Sequence, residues 1–396
     1  MSIISVVLTV IAVILLIPTV VVFAQVLSAC LSKRKADVNI ADDDISIAVL
    51  IPAHNESSGI IATLNSIRSQ LTSKDRLLVV ADNCDDDTAA VALANGAEVI
   101  ERHDAAKRGK GFALDFGIRH LAQNPSDIVV FVDADCILEA NALKPLAAYA
   151  LKHGRPVQAL YLMYSKVANL KSSIAEFAWC VKNLVRPLGY AQLSLPCQLM
   201  GTGMAFPWST IAKADLANGN IVEDMKLGID LSIAGTPPLF YLNAKVTSYF
   251  PVASDVQTGQ STRWEHGHLA MILSEAPRLF IKGAIKCNKD LLAMALDLSV
   301  PPLALLVTLL FGYAIATGIM GIWFDFAYVA FQVTLIGVIL LTIAIAIAWW
   351  GWGRNIISLA SMLLVPVYVF LKIPHYIKFM FKRQKTWNKT ERDEVD

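Results

Sequence analysis

The chain opens on an unbroken apolar run. From Ser2 to Ala29 it holds no Lys, Arg, Asp or Glu, and Lys33-Arg34-Lys35 follow almost at once. A run of this length crosses a bilayer as one helix, and the basic flank sets its C-terminal end on the cytoplasmic side. A cleaved leader has the reverse polarity, with positive charge before a shorter apolar core, so this run reads as an anchor. From about Ile45 to Phe250 the pattern changes to short apolar runs alternating with helical stretches and turn residues. Ser46–Ile51, Leu77–Val80 and Glu98–Ile100 predict strands, as does Asp127–Cys136, whose five consecutive apolar residues stop at Asp133. Between them Ile60–Gln70, Thr88–Asn95 (closed by Gly96) and about Gly111 to Leu121 predict helices. Alternation of this kind builds an α/β domain on a mostly parallel, Rossmann-like sheet with right-handed crossovers.

After about Leu273 the chain turns amphipathic and then apolar. Leu298–Ile322 and Ala327–Trp350 are each long enough to span, and the turn between them carries Asp325 and no positive charge, the pattern of a transmembrane hairpin. Ile356–Leu371 is shorter, is broken by Pro366 and runs into the basic stretch Lys372–Lys389. A further crossing would put that tail outside, against the positive-inside rule, so an interfacial or re-entrant helix is expected. The domains expected are therefore a transmembrane helix (1–31), a cytoplasmic catalytic domain (45–270), amphipathic interface helices (271–297), a transmembrane hairpin (298–350) and an interfacial or re-entrant helix with a basic cytoplasmic tail (351–396). The active site then faces the cytoplasm from a multi-pass protein of the cell membrane.

Composition agrees. Over 396 residues, 55% hydrophobic content is too high for a soluble protein. A formal net charge of +1 gives no bulk attraction to nucleic acid. Six cysteines with no Cys-x-x-Cys pair argue against a zinc site and a disulfide framework.

Candidate chemistry gathers at predicted strand ends, where open α/β sheets bind ligands. Asp133-Ala134-Asp135 reads either as a turn capping the next helix or as a carboxylate pair holding Mg2+ or Mn2+ beside a phosphate. Pro52-Ala53-His54-Asn55-Glu56 and Ala81-Asp82-Asn83-Cys84-Asp85 end the first two strands on the same edge. An Asp there can accept from a uracil imide or a ribose hydroxyl. Lys107-Arg108-Gly109-Lys110-Gly111 opens a helix and suits phosphate, or is a solvated loop. Gly201-Thr202-Gly203 is a tight turn, Glu223-Asp224 follow an apolar pair, and Gln260-Ser261-Thr262-Arg263-Trp264 opens a helix. His266 and His268, two apart, lie on different faces of that helix and lack zinc-binding spacing. Neither Gly-x-Gly-x-x-Gly nor a P-loop is present.

The order of these features resembles the membrane-integrated family-2 glycosyltransferases, the group of cellulose synthases, hyaluronan synthases and ceramide glucosyltransferases. The matching residues are Asp82, Asp133-Ala134-Asp135, Glu223-Asp224 in the place of Thr-Glu-Asp (Val222 replacing Thr), and Gln260-Ser261-Thr262-Arg263-Trp264 for Gln-x-x-Arg-Trp. A looser likeness joins Trp387, Thr390 and Arg392 to the gating segment of hyaluronan synthases, with different spacing. The resemblance implies a GT-A fold and inverting transfer from a nucleotide sugar, with UDP-sugar the expected donor. It implies Asp224 as general base, with Glu223, Gln260, Arg263 and Trp264 in the catalytic set, and Asp133 and Asp135 on Mg2+ or Mn2+. It assigns donor binding to Pro52, Ala53, Glu56, Asp82, Lys110, Asp133, Arg263, Trp387, Thr390 and Arg392. The expected partners are the bilayer and a lipid or lipid-linked glycan acceptor, with a homo-oligomer or a synthase complex left open. Processive polysaccharide synthesis is the alternative, and a non-catalytic nucleotide-sensing subunit a second one.

Overall fold

The computed structural model describes residues 2–31, 44–167, 169–251 and 254–365. Its elements run α1 (Ile3–Cys30), β1 (Ile47–Ala53), α2 (Ile60–Arg68), β2 (Arg76–Asp82), α3 (Thr88–Ala94), β3 (Glu98–Arg102), α4 (Lys110–Leu121), β4 (Ile128–Phe131), β5 (Ile137–Leu138) and α5 (Leu143–His153). They continue with β6 (Val157–Tyr164), α6 (Leu170–Cys180), α7 (Arg186–Gln192), β7 (Met204–Pro207), α8 (Trp208–Ile211), α9 (Glu223–Ile233) and β8 (Leu239–Tyr249). Last come α10 (Ser254–Ile285), α11 (Lys289–Leu298), α12 (Leu303–Trp323), α13 (Tyr328–Ala348) and α14 (Leu359–Leu363). These elements form two compact units, one built on the sheet and one on helices.

The sheet unit holds residues 44–166, 195–251 and 254–264. Its strands lie in the order β3-β2-β1-β4-β7-β6-β8-β5. The first four in this order are parallel, as the strand–helix alternation predicts. The sheet is mixed rather than mostly parallel, because β7 then enters antiparallel to β4, with Phe131 opposite Met204. That reversal brings the turn preceding β7 to the edge where β4 ends. The core under this edge is apolar and close-packed: Leu50, Leu78, Phe131 and Phe206 are fully buried, and the rings of Phe131 and Phe206 lie 4.9 Å apart. Gly117 lets α4 settle on the sheet, since a Cβ there would stand 2.5 Å from Leu50 Cδ1.

The helical unit holds residues 2–31, 167, 169–194 and 265–365. Three of its helices are long and apolar enough to cross a membrane: Ile3–Cys30, Leu303–Trp323 and Asp325–Gly353. By length and composition they fall where the first span and the hairpin are expected; the third apolar stretch, Ile356–Leu371, is described only as far as residue 365, where it carries α14, and its remainder lies outside the described residues. α1 packs on α13 and on α7. At the second crossing Gly189 is obligatory, because a Cβ there would fall 1.9 Å from the backbone oxygen of Gln25. A buried polar triad closes the same junction. Arg186 donates from Nε to Gln25 Oε1 (2.8 Å) and from Nη2 to Asp297 Oδ1 (2.7 Å), while Gln25 Nε2 donates to that same carboxylate oxygen (2.6 Å). A π turn, Val181–Val185, joins α6 to α7 just before Pro187, whose missing N–H breaks the α-helical ladder.

Candidate active site

Four parts of the sheet unit converge past the end of β4. Asp133 and Asp135 leave the strand itself. Lys110 stands at the first position of α4, held there by Gly111, where a Cβ would lie 2.4 Å from the carbonyl oxygen of Leu216. Glu223 and Asp224 form the first turn of α9, where the helix dipole favours negative charge. The Gly201-Thr202-Gly203 turn is delivered by β7, with Gly203 N–H donating to Phe131 O (2.9 Å).

Lys110 is the hub of this cluster. Its Nζ forms an ion pair with Asp133, donates to Gly201 O (2.8 Å) and lies 3.8 Å from Glu223 Oε1. Burial alone would lower the ammonium's pKa; Asp133, Glu223 and Asp224 outweigh it and raise it, so Lys110 stays charged. Burial pushes the Asp133 carboxyl up, Lys110 opposes this, and Asp135 and Asp224 add to it. Burial also lifts Glu223 to about 7, against the pull of Lys110 and with the push of Asp224. Gly201 sits in the middle at φ +92°: a Cβ there would be 3.4 Å from Asp224 Oδ2, 3.7 Å from Lys110 Nζ and 4.0 Å from Asp133 Oδ2. Only a residue without a side chain leaves this space open.

Carboxylate oxygens of Asp133 and Asp135 and the Cys136 sulfur lie within 4.8 Å of one another. Burial, then the charges of Asp135 and Asp133, hold the Cys136 thiol well above its usual range, so it stays protonated. The two carboxylates are the hard oxygen donors that suit Mg2+ or Mn2+. Arg263, on the first turns of α10, carries a buried Nε without a hydrogen-bond partner. Burial lowers its pKa while Glu223, Asp133 and Asp224 hold it up, which sets its charge within reach of the same carboxylates. A cation buried with an unmet donor fits an anionic ligand. Gln260 and Trp264 lie on the same helix and are half-buried.

A second group lies at the ends of β1 and β2. Pro52 and Ala53 end β1, and the Glu56 N–H donates to Thr88 Oγ1 (2.7 Å). The Asp82 carboxylate is buried and already engaged: Oδ1 accepts from Arg102 Nη1 (2.6 Å) and from Asn83 Nδ2 (2.9 Å). Arg102 also reaches Asp104 (3.3 Å) and lies over the Phe112 ring. Sequence reasoning missed Arg102, although the register of the parallel strands, which sets Asp82 beside Arg102, carries the signal. Lys110, expected to add positive charge at a diphosphate, is placed in contact with Asp133 and Gly201. Trp387, Thr390 and Arg392 lie outside the described residues.

A Rossmann-like half-sheet extended by an antiparallel strand thus gathers carboxylates, a lysine and a half-buried arginine at the edge where open α/β sheets bind ligands. Residues 44–267 match the family described as "Glycosyltransferase like family 2", and the chain belongs to that family. It is 34% identical over 127 residues to a glucosyl-3-phosphoglycerate synthase of Mycobacterium tuberculosis, covering 31% of this chain and 38% of that protein. It is 28% identical over 201 residues to a 4,4'-diaponeurosporenoate glycosyltransferase of Staphylococcus haemolyticus, covering 46% of this chain and 50% of that one. The matches thus span no more than half the length of either relative. Among solved structures, a mannosyltransferase of Pyrobaculum calidifontis in complex with GDP-Man and Mn2+ shares the fold, with a TM-score of 0.52 at 16% identity over 92% of this chain and 99% of that one.

Proposed function

We propose that the chain is an inverting, metal-dependent glycosyltransferase that moves a sugar from a nucleotide sugar, most simply a UDP-sugar, to a lipid or lipid-linked glycan acceptor at the membrane. The observation that carries this reading is the meeting of Asp224, Lys110 and Asp133 around the open space at Gly201, with Arg263, its buried Nε unpartnered, within electrostatic reach of Asp133 and Asp224. Asp224 takes the proton of an acceptor hydroxyl as that oxygen attacks the anomeric carbon. The bond from that carbon to the β-phosphate oxygen breaks, its electron pair leaves with the nucleoside diphosphate, and one displacement inverts the centre. Asp133 and Asp135 would hold a divalent cation, which when bound would supply positive charge to the diphosphate. Arg263 adds charge from the protein, and Lys110 holds Asp133 in place. Trp264 supplies an apolar wall for a sugar face. The buried Asp82–Arg102 pair is the base-recognition element at the end of β2. One relative is named as a glucosyl-3-phosphoglycerate synthase and another as a 4,4'-diaponeurosporenoate glycosyltransferase, which supports glycosyl transfer, and three helices among the described residues that are long and apolar enough to cross a membrane support a membrane-held acceptor. On this reading the expected 45–270 catalytic domain faces the cytoplasm.

The test is a panel of UDP- and GDP-sugars with the full chain in membranes, read by nucleotide release and by the product formed. Asp224→Asn should abolish transfer and leave nucleotide binding intact; equal loss of binding removes Asp224 from the base role. An organic-soluble glycolipid supports a lipid acceptor, and a lengthening polymer overturns it.

A further inference from the structure

We propose that Gln158 on β6 is a positioning residue for sugar transfer, its buried amide gripping the Gly201 turn on both sides and so setting the spacing of Lys110, Asp133 and Asp224. The inference rests on the transfer reading above. Gln158 is fully buried. Its Oε1 accepts from the Met200 N–H (2.8 Å), and its Nε2 donates to Thr202 O (2.9 Å) and Ala159 O (2.8 Å). The two gripped residues flank Gly201, whose own carbonyl accepts from Lys110 Nζ (2.8 Å). Thr202, also fully buried, completes the link: its Oγ1 accepts from the backbone N–H of Asp133 (3.1 Å). One amide and one hydroxyl therefore connect β6 to the end of β4 through the turn that borders the reaction space. A buried Gln often does no more than satisfy backbone groups. Gln158 differs in that two of its three partners bracket the one residue with φ +92° that faces Asp224, Lys110 and Asp133. Near-attack geometry is sensitive at this scale, since a displacement of about 1 Å can lower a rate roughly 100-fold.

Gln158→Met keeps the side-chain length and removes all three hydrogen bonds. In the full chain in nanodiscs it should lower kcat about 10- to 100-fold while donor KM moves less than about threefold. In the same variant the Met200 amide should exchange with deuterium about tenfold faster or more, with β1 and β2 amides unchanged. Thr202→Val should give the same kcat-against-KM split, and Thr202→Ser, which keeps the hydroxyl, should restore kcat to within about threefold of wild type. If Gln158→Met does not fold, the Thr202 pair decides. The proposal is overturned if kcat stays within about twofold in Gln158→Met and Thr202→Val, or if exchange quickens equally in β1 and β2. Wild-type protein that transfers from no donor overturns the transfer reading, while the Met200 exchange still decides whether Gln158 holds the turn.

Discussion

Glu223→Gln should make the sheet unit more stable at pH 8 while damaging transfer. In the folded chain, burial and Asp224 raise the Glu223 carboxyl from its ordinary 4.5 to about 7, Lys110 notwithstanding. The fold therefore binds the Glu223 proton more tightly than the unfolded chain does. Its contribution to stability is fully present below pH 4.5, falls as pH rises through 7, and is a fixed penalty above that. At 1.36 kcal/mol per pH unit, and allowing for the fifth of the side chain that water reaches, the penalty at pH 8 is about 2–3 kcal/mol. A glutamine of the same shape ionises at no pH and escapes it. For a unit of this size the gain is roughly 5–10 °C in Tm. The buried thiols Cys136 and Cys197 report this unit alone. The Tm is the midpoint at which they become open to alkylation, followed for both proteins from pH 4.5 to 8.5. The variant's advantage should be absent at the acid end and grow through neutrality. An advantage that is equal at both ends, or that shrinks as pH rises, refutes the reasoning.

Chelation of divalent cations should abolish transfer and Mn2+ or Mg2+ should restore it, with Asp135→Asn raising the cation concentration for half-activity about tenfold or more. Gly189→Ala drives a methyl group into the Gln25 carbonyl, so α7 must part from α1; we expect a loss of about 3 kcal/mol or more, measured by thermal aggregation of the purified protein. His268 donates from Nε2 to Leu298 O, and burial, with Lys182 and Arg186, lowers its pKa from 6.5 to about 3. Its contribution is intact above pH 6.5 and is lost as pH falls toward 3, so His268→Gln should show a flatter loss of helical-unit stability in acid, followed by circular dichroism.

The sheet up to β4 was legible because each strand there is a short apolar run closed by a turn residue, and each helix lies between two such runs. Asp82 and Asp133 were legible for the same reason, as polar residues placed where an apolar run stops. β5, two residues long, offers no periodicity to read. The reversal at β7 left no mark either, since a four-residue apolar strand looks the same in both directions. Gln158 was invisible because its partners lie at residues 200 and 202, and a lone amide in an apolar strand gives no hint of what it grips. Lys110 was found as a basic residue opening a helix, yet its commitment to Asp133 depends on where α4 lands. α10 starts at Ser254, upstream of the motif expected to open it, and Gly259 just before Gln260 does not interrupt it.

The triad of Gln25, Arg186 and Asp297 has a consequence for biosynthesis. Arg186 leaves the ribosome 111 residues before Asp297, the carboxylate that neutralises it. Until then a guanidinium docked on α1 would be buried beside a glutamine alone, which is unfavourable in an apolar setting. α7 should therefore wait, and the hairpin helices that follow Asp297 should already be emerging when it settles. Nascent chains halted shortly before residue 297 should thus expose the Arg186 segment to protease and to chaperones, and chains released a few tens of residues later should not.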